Sequence, residues 1–247
     1  RDSFFHCLKN SAHQFHNKQG GEHYILAGYP WFKCRARDLF IALPGLTLAI
    51  DEQDEFEDVM KTAEKALRQY MNGETYTYKI YEMEHPDVLL WAIWTLQQYA
   101  KFTSRDRCRQ MYGQLLEDLL EYIRGRKHDN LFLHDNGLLY TNGTEHPVTW
   151  MNSTANGRPV VPRTGYVVEI NALWYNALGF VADMVREGGN EALANVLDEQ
   201  AEEQLALRAR RVLMSLGYRR ADGEVIAHVE RHGLDQDVLV ALQPLKL

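Results

Sequence analysis

The feature that most constrains this fold is an alternation between two kinds of helix. The segment from Pro86 to Phe102 is apolar on almost every side of a helix, which predicts a helix buried all round. The next segment, Arg105 to Gly125, repeats apolar residues at helical spacing against an acidic face, which predicts a half-exposed helix. Glu55 to Met71 is likewise amphipathic, and Val167 to Val185 is apolar on most faces. This alternation predicts an all-α fold with two concentric shells, an α/α toroid, and an irregular helical bundle is the alternative.

Composition limits the partners of the chain. Its formal net charge is −7, which argues against nucleic acid because phosphate contacts need a basic face. No apolar run approaches the ~18 residues that a membrane span needs, so we expect no membrane partner. Cys7, Cys34 and Cys108 lie far apart without a CxxC motif, and no export signal is present. These features predict reduced thiols and a cytoplasmic location.

The histidines give no convincing metal set. His13 and His16, or His128 and His134, lack further ligands at suitable spacing, so a solvated surface is the better interpretation. No Gly-rich phosphate loop and no GxSxG elbow occurs in the sequence. We therefore predict neither a metal nor a cofactor.

Long segments with turn residues, 72–85 and 128–165, lie between the helices, and such loops are often functional. A sugar site needs flat aromatic faces and polar groups for hydroxyls, and glycosidic cleavage needs two carboxyl groups. Four clusters, carried mainly by loops, offer these groups. They are Tyr29 and Trp31 with Arg37 and Asp38, Asp87 behind Pro86, Trp150 with Asn152, and Arg163 with Glu169.

Each cluster also has a structural interpretation. Arg37 and Asp38 could form an ordinary ion pair at the start of a helix, and Asp87 could serve the helix dipole after a proline. Trp150 could belong to the core. Glu169 heads an otherwise apolar helix, where a carboxylate is costly unless it has a partner or a function.

Taken together, four motifs carry a resemblance that no single cluster does. They are AGYPWFKCRARDLFIALPGLTL (Ala27 to Leu48), PDVLLWAIWTLQQY (Pro86 to Tyr99), DNGLLY (Asp135 to Tyr140) and TWMNSTANGRPVVPRTGYVVEINALWYNAL (Thr149 to Leu178). In this order they resemble the amylo-α-1,6-glucosidase domain of glycogen debranching enzymes, over residues 24 to 185.

The resemblance implies an (α/α)6 toroid of inner and outer helices, incomplete in this chain, with a pocket for a terminal α-1,6-linked glucose. It implies a glycoside hydrolase that cleaves branch points by inversion. The partner would be a branched α-glucan, glycogen or a limit dextrin. Arg37 and Asp38 would grip glucose hydroxyls, Trp31 would shape the wall, and Asp87 matches an acidic position of the family. The substrate-binding set is Tyr29, Trp31, Arg37, Asp38, Asp87, Trp150 and Arg163.

One departure from the family puts catalysis in doubt. Asn152 stands where the family has an Asp as general acid, and an amide cannot donate that proton. Losing general-acid catalysis costs on the order of 10²–10⁴-fold in rate. Either Glu145 or Glu169 replaces the acid, or the site binds a glucan without cutting it. A helical interaction protein, which would not use the sugar clusters, is a third interpretation.

The resemblance also suggests how the chain is organised. Residues 1–23 are expected to form a lead-in helix, 24–187 a partial toroid, and 188–247 a divergent tail, out of frame with the family. The general base of the family is then absent. We expect the parent protein to be an amylo-α-1,6-glucosidase and this chain to be inactive alone.

Overall fold

The computed structural model describes residues 3–75 and 77–215, with side chains through residue 203. The described part is mainly helical, as predicted, and it adds three short antiparallel hairpins. In chain order the elements are α1 Phe4–His13, β1 His16–Gln19, β2 Glu22–Ile25, α2 Ala36–Leu46, α3 Gln53–Met71, α4 Pro86–Phe102, α5 Arg105–Arg124, β3 Leu131–Leu133, β4 Leu139–Thr141, β5 Thr154–Ala155, β6 Arg158–Pro159, α6 Val168–Glu187 and α7 Glu191–Ser215. A single 3-10 turn, Leu48–Ile50, follows α2.

The long helices lie where the hydrophobic pattern predicts them. Helix α4 begins at Pro86, whose missing N–H costs nothing in the first turn. Helix α5 begins after Ser104, whose hydroxyl accepts a hydrogen bond from the Arg107 N–H at 3.1 Å, and it ends at Gly125. Patterning and helix-end signals therefore act together to set these bounds.

The hairpins depend on residues that tolerate a left-handed backbone. Gly20 and Gly21, with φ of 64° and 82°, connect β1 to β2. Asn156 and Gly157, with φ of 51° and 77°, connect β5 to β6. Positive φ at both central residues is what a two-residue type I′ turn requires. The segment 1–23 was predicted to form a lead-in helix. The helix in it is α1 alone, and the hairpin β1–β2 follows.

The core of this region is centred on α4. Helix α2 packs on α4, where the buried Thr95 hydroxyl donates to the Phe40 carbonyl at 2.6 Å. The buried ring of Tyr99 stacks on Phe56 of α3 with centroids 4.9 Å apart, and it meets Tyr112 of α5 edge-on at 5.4 Å. Helix α4 is thus buried among three neighbours, while α3 and α5 keep polar outer faces. Buried and half-exposed helices alternate as predicted, and the complete toroid stays a prediction.

The chain divides into two compact units, one of residues 1–133 and 139–173, the other of residues 134–138 and those from 174 onward. All predicted site residues belong to the first unit. In the segment predicted to be a divergent tail, α7 is described, while residues 216–247 lie outside the described residues. Among the described helices, none combines the length and the apolar character needed to cross a membrane.

Candidate functional site

A buried ion pair joins the first turns of α2 and α4. The Arg37 guanidinium donates from Nε to Asp87 Oδ2 at 2.6 Å and from Nη2 to Oδ1 at 2.8 Å. Arg37 is 5% exposed and Asp87 is 2% exposed. A bidentate pair of this kind fixes both distance and orientation. It therefore sets how the N-terminal ends of these two helices meet.

His85 completes this cluster. Its Nδ1 lies 3.0 Å from Arg37 Nη2 and accepts the hydrogen bond, because a guanidinium can only donate. Burial, with a further contribution from the Arg37 charge, lowers the pKa of His85 to about 4. Burial also raises the pKa of Asp87, while hydrogen bonds from Arg37 and Trp91 oppose that rise. The cluster thus holds a neutral imidazole beside the ion pair at neutral pH.

A tight turn before α2 presents two predicted sugar-binding aromatics to solvent. The Phe32 N–H donates to the Gly28 carbonyl at 2.7 Å, which closes the turn. A Cβ on Gly28 would lie 2.8 Å from the Phe32 ring, so a larger residue there would displace this ring. Tyr29 and Trp31 project from the turn, and Trp31 is 85% exposed. Large exposed aromatics on an ordered turn suit the apolar face of a sugar.

Backbone hydrogen bonds join this segment to the loop that precedes α4. The Ala36 N–H donates to the Tyr81 carbonyl at 2.9 Å, and the Tyr81 N–H donates to the Cys34 carbonyl at 3.0 Å. The two loops thus form one continuous surface at the N-terminal ends of α2 and α4.

The basic side chains of this segment have partners within the chain. The Lys33 ammonium lies 5.2 Å from the centroid of the Tyr81 ring, and the Arg35 guanidinium lies 5.1 Å from that of Phe32. Such cation–π contacts use the aromatic face. Since Arg37 is paired with Asp87, the three cations do not form a free basic patch.

A groove of about 840 Å³ adjoins this surface. Its walls come from the ends of α3 and α5, from the loop between α3 and α4 and from the segment after α5. They combine aromatic rings and acidic groups with one lysine, Lys127. The rings are Tyr70, Tyr78, Tyr81 and Tyr122, and the acids are Glu74, Glu82, Glu84 and Asp129. Glu82 has a φ of 62°, and strained backbone of this kind is concentrated at functional sites. The length of the loop 72–85 indicated a functional segment, but the sequence predicted none of these groove residues as site residues.

A second cluster forms around Arg163. This side chain donates from Nη2 to Glu169 Oε2 at 2.6 Å and contacts the Met151 sulfur from Nη1 at 3.1 Å. It thereby links the segment that carries Trp150 and Asn152 to the first turn of α6. Trp150 is 62% exposed, so it is not a core residue.

Strand β4 positions this second cluster. The Thr141 hydroxyl donates to the Arg163 carbonyl at 2.8 Å. The buried amide of Asn171 on α6 makes two hydrogen bonds of 2.9 Å to the backbone N–H and carbonyl of Leu139. These contacts tie both Arg163 and the start of α6 to the same strand.

The predicted carboxyl groups lie in different settings. Glu169 is half-buried, and its Oε1 has no hydrogen-bond partner among the described residues. Glu145 is exposed, and its Oε2 lies 3.7 Å from Arg158 Nε. Asp38 is half-buried, and no hydrogen bond or ion pair of its carboxylate occurs within the described part of the chain. The structure pairs Arg37 with Asp87 rather than with its sequence neighbour Asp38.

An Arg37→Met variant tests the buried pair. Removing one partner leaves the Asp87 charge buried, so we expect the free energy of unfolding to fall by about 3–5 kcal/mol. The double variant Arg37→Met/Asp87→Leu should lose much less, because no unpaired charge remains. Urea unfolding at neutral pH measures both.

The matched control is Arg158→Met, which breaks the exposed pair with Glu145. Its cost should stay below about 1 kcal/mol. Equal costs for Arg37→Met and Arg158→Met would contradict the role given to the buried pair.

His85 predicts a pH dependence of stability. Its folded pKa of about 4 lies below its ordinary value of 6.5, so unfolding takes up a proton between these pH values. The stability from neutral His85 is complete above about pH 6.5 and is lost as the pH falls towards 4, with a slope of about 1.4 kcal/mol per pH unit. We expect His85→Gln to reduce the slope of the unfolding free energy against pH by about 1.4 kcal/mol per pH unit, which corresponds to the uptake of one proton. An unchanged slope between about pH 6.5 and about pH 5 would contradict this assignment.

Comparison with known proteins identifies the family. The model of the family described as amylo-alpha-1,6-glucosidase matches residues 10–228, which is most of the chain. The match extends on both sides of residues 24–185, the stretch over which the sequence motifs resemble this family. Searches of curated proteins and of solved structures return no match. On the strength of the family match, this chain belongs to the amylo-α-1,6-glucosidase family.

Proposed function

We propose that this chain carries the site of a glycogen-debranching type of glycoside hydrolase. It would hydrolyse α-1,6-glucosidic branch points in glycogen-like glucans with inversion, on an (α/α)6 framework and without a cofactor. The observation that carries the proposal is the exposed aromatic turn beside an acidic, tyrosine-lined groove, in a chain of the amylo-α-1,6-glucosidase family.

The turn and the groove supply complementary parts of a sugar site. Tyr29 and Trp31 offer exposed ring faces, and Trp150 offers another. The acidic groups of the groove can accept hydrogen bonds from hydroxyls. Asp38, which is not engaged by Arg37, is free to grip a glucose hydroxyl. We therefore assign direct sugar contact to these three aromatics and to Asp38.

Arg37 and Asp87 take a different role in this proposal. Their polar atoms face one another and are buried, so direct sugar contact would require breaking a two-point ion pair. We assign them as positioning residues that hold the two loops in register. Arg163 likewise positions Glu169 and the Trp150 segment.

The general acid is the part of the mechanism in which this chain departs from its family. Inversion needs one carboxyl group as acid and one as base, with room for water between them. Asn152 cannot supply the proton. Glu169 is the more firmly held of the two candidates, because Arg163 donates to its Oε2 and its Oε1 has no partner among the described residues. Contact with a guanidinium favours an ionised carboxylate, so this geometry suits the base better than the acid. Glu145 is exposed on the surface and less well held.

Asn152 also favours one alternative, a glucan-binding module that does not cut. The aromatic turn and the groove would serve such a module equally well. The two functions differ in a single observable, the release of glucose.

The test combines calorimetric titration with isomaltose and a glucose-release assay on a phosphorylase-limit dextrin. Binding with glucose release supports the hydrolase and overturns the expectation that this chain is inactive alone. Binding without release agrees with that expectation and also with the module. A folded sample that binds no glucan would contradict both.

Trp31→Ala is the matched site variant. Pairs of aromatic rings gain ~0.5–1.5 kcal/mol beyond their buried area. If a ring stacked on a sugar contributes a similar amount, the affinity for isomaltose should fall about 2- to 12-fold. Phe102→Ala is the control, because Phe102 is also exposed but lies at the opposite end of α4. If both variants changed the affinity for isomaltose equally, the aromatic turn would not be part of the sugar site.

A further inference from the structure

A second group of polar side chains lies outside the candidate sugar site, where the hairpin β1–β2 faces α3. The strand register places His23 opposite Lys18, and His16 lies two residues before Lys18 on the same face. Glu55 and Asp58 are three residues apart on α3 and share the helix face that meets them. We propose that His23, Glu55 and Asp58 form a three-ligand binding site for a divalent transition metal of the Zn²⁺ type, with His16 beside it.

The distances among His23, Glu55 and Asp58 suit three ligands of a tetrahedral ion whose fourth position is open, and His16 lies next to Glu55. His23 Nδ1 lies 3.1 Å from Glu55 Oε1 and 3.6 Å from Asp58 Oδ2, and His16 Nδ1 lies 3.4 Å from the same Glu55 oxygen. One ligand atom each from His23, Glu55 and Asp58 lies within 4.8 Å of the others. Zinc bonds of about 2.0–2.1 Å in a tetrahedron place neighbouring ligand atoms about 3.3–3.4 Å apart. The imidazole and carboxylate atoms are therefore already at ligand spacing.

An outer contact orients His16. Its Nε2 lies 3.2 Å from the Leu46 carbonyl, which can only accept, so Nε2 carries a proton. In the neutral ring, Nδ1 then directs a lone pair towards a Glu55 oxygen, which also has only lone pairs to offer. A cation bound at Glu55 would relieve this repulsion.

The surroundings allow an ion to enter while holding most of the ligands in place. The side chains of His16, His23 and Glu55 are 9%, 17% and 17% exposed, whereas that of Asp58 is 55% exposed. The His23 N–H donates to the Thr62 hydroxyl of α3 at 3.0 Å, which fixes the strand on the helix. Access is thus through Asp58.

Protons and Lys18 compete with the metal. The Lys18 ammonium lies 2.9 Å from Glu55 Oε2 and leaves Oε1 to face the two histidines. Without metal, protonated His16 and His23 could occupy the same positions beside the carboxylates. Because the Lys18 ammonium repels any further cation at Glu55, removing its charge should strengthen binding of the metal ion.

The test is a calorimetric titration of the whole chain with Zn²⁺, accompanied by thermal unfolding. We expect one equivalent to bind and to raise the melting temperature, since a ligand of the folded state alone stabilises it. Changing a residue that only supports a metal ligand typically lowers affinity about 10–100-fold. His23→Ala removes a ligand itself, so it should lower the affinity about 100-fold or more. Lys18→Gln should raise the affinity.

Two variants keep the test decisive. Asp58→Asn changes the most exposed ligand and should fold normally, yet it should weaken Zn²⁺ binding at least tenfold, a loss typical of disturbed metal sites. His13→Ala removes a nearby histidine that pairs with Glu52 instead, and it should leave the affinity unchanged. No Zn²⁺ binding by the folded chain, binding that Asp58→Asn leaves unchanged, or no gain with Lys18→Gln would overturn the site.

Discussion

The ion pair between Arg37 and Asp87 connects the parts of the chain on which the candidate sugar site depends. A buried pair is weak evidence for stability, because desolvation offsets much of the attraction. Its two short hydrogen bonds nevertheless fix the first turns of α2 and α4 in one orientation. Each turn is preceded by a loop, 26–35 or 72–85, and the backbone hydrogen bonds at Tyr81 join these loops. The aromatic turn and the acidic groove are therefore placed by the same contact.

The same pairing explains why a basic, aromatic segment suits a sugar better than a phosphate. Arg37 is neutralised by Asp87, and Lys33 and Arg35 lie over aromatic rings. What faces solvent is Trp31 and Tyr29, beside a groove lined by tyrosines and carboxylates. Ring faces and acceptors of hydrogen bonds are what a neutral polyhydroxylated ligand needs.

The sequence predicted the long helices because burial repeats along them: the bounds of α4, Pro86–Phe102, agree with the apolar pattern. It missed the hairpins although Gly20-Gly21 and Asn156-Gly157 are hairpin signals, since four-residue and two-residue strands carry little pattern of their own. The partner of Arg37 could not be read from neighbours in sequence, because Asp87 is fifty residues away and only the packing of α2 on α4 brings them together. The metal-type cluster was missed for the same reason, since His23 on β2 is more than thirty residues from Glu55 and Asp58 on α3.

Amide hydrogen exchange with and without an α-1,6-linked glucose oligosaccharide shows which segments of the chain contact the sugar. Because a ligand slows the local opening of the backbone that it contacts, we expect slower exchange in two segments, residues 26–38 and 72–85. The hairpin β1–β2, which lies outside the proposed sugar site, should exchange as before. If the sugar bound at a saturating concentration and slowed exchange elsewhere but in neither loop segment, the aromatic turn and the groove would not be the sugar site.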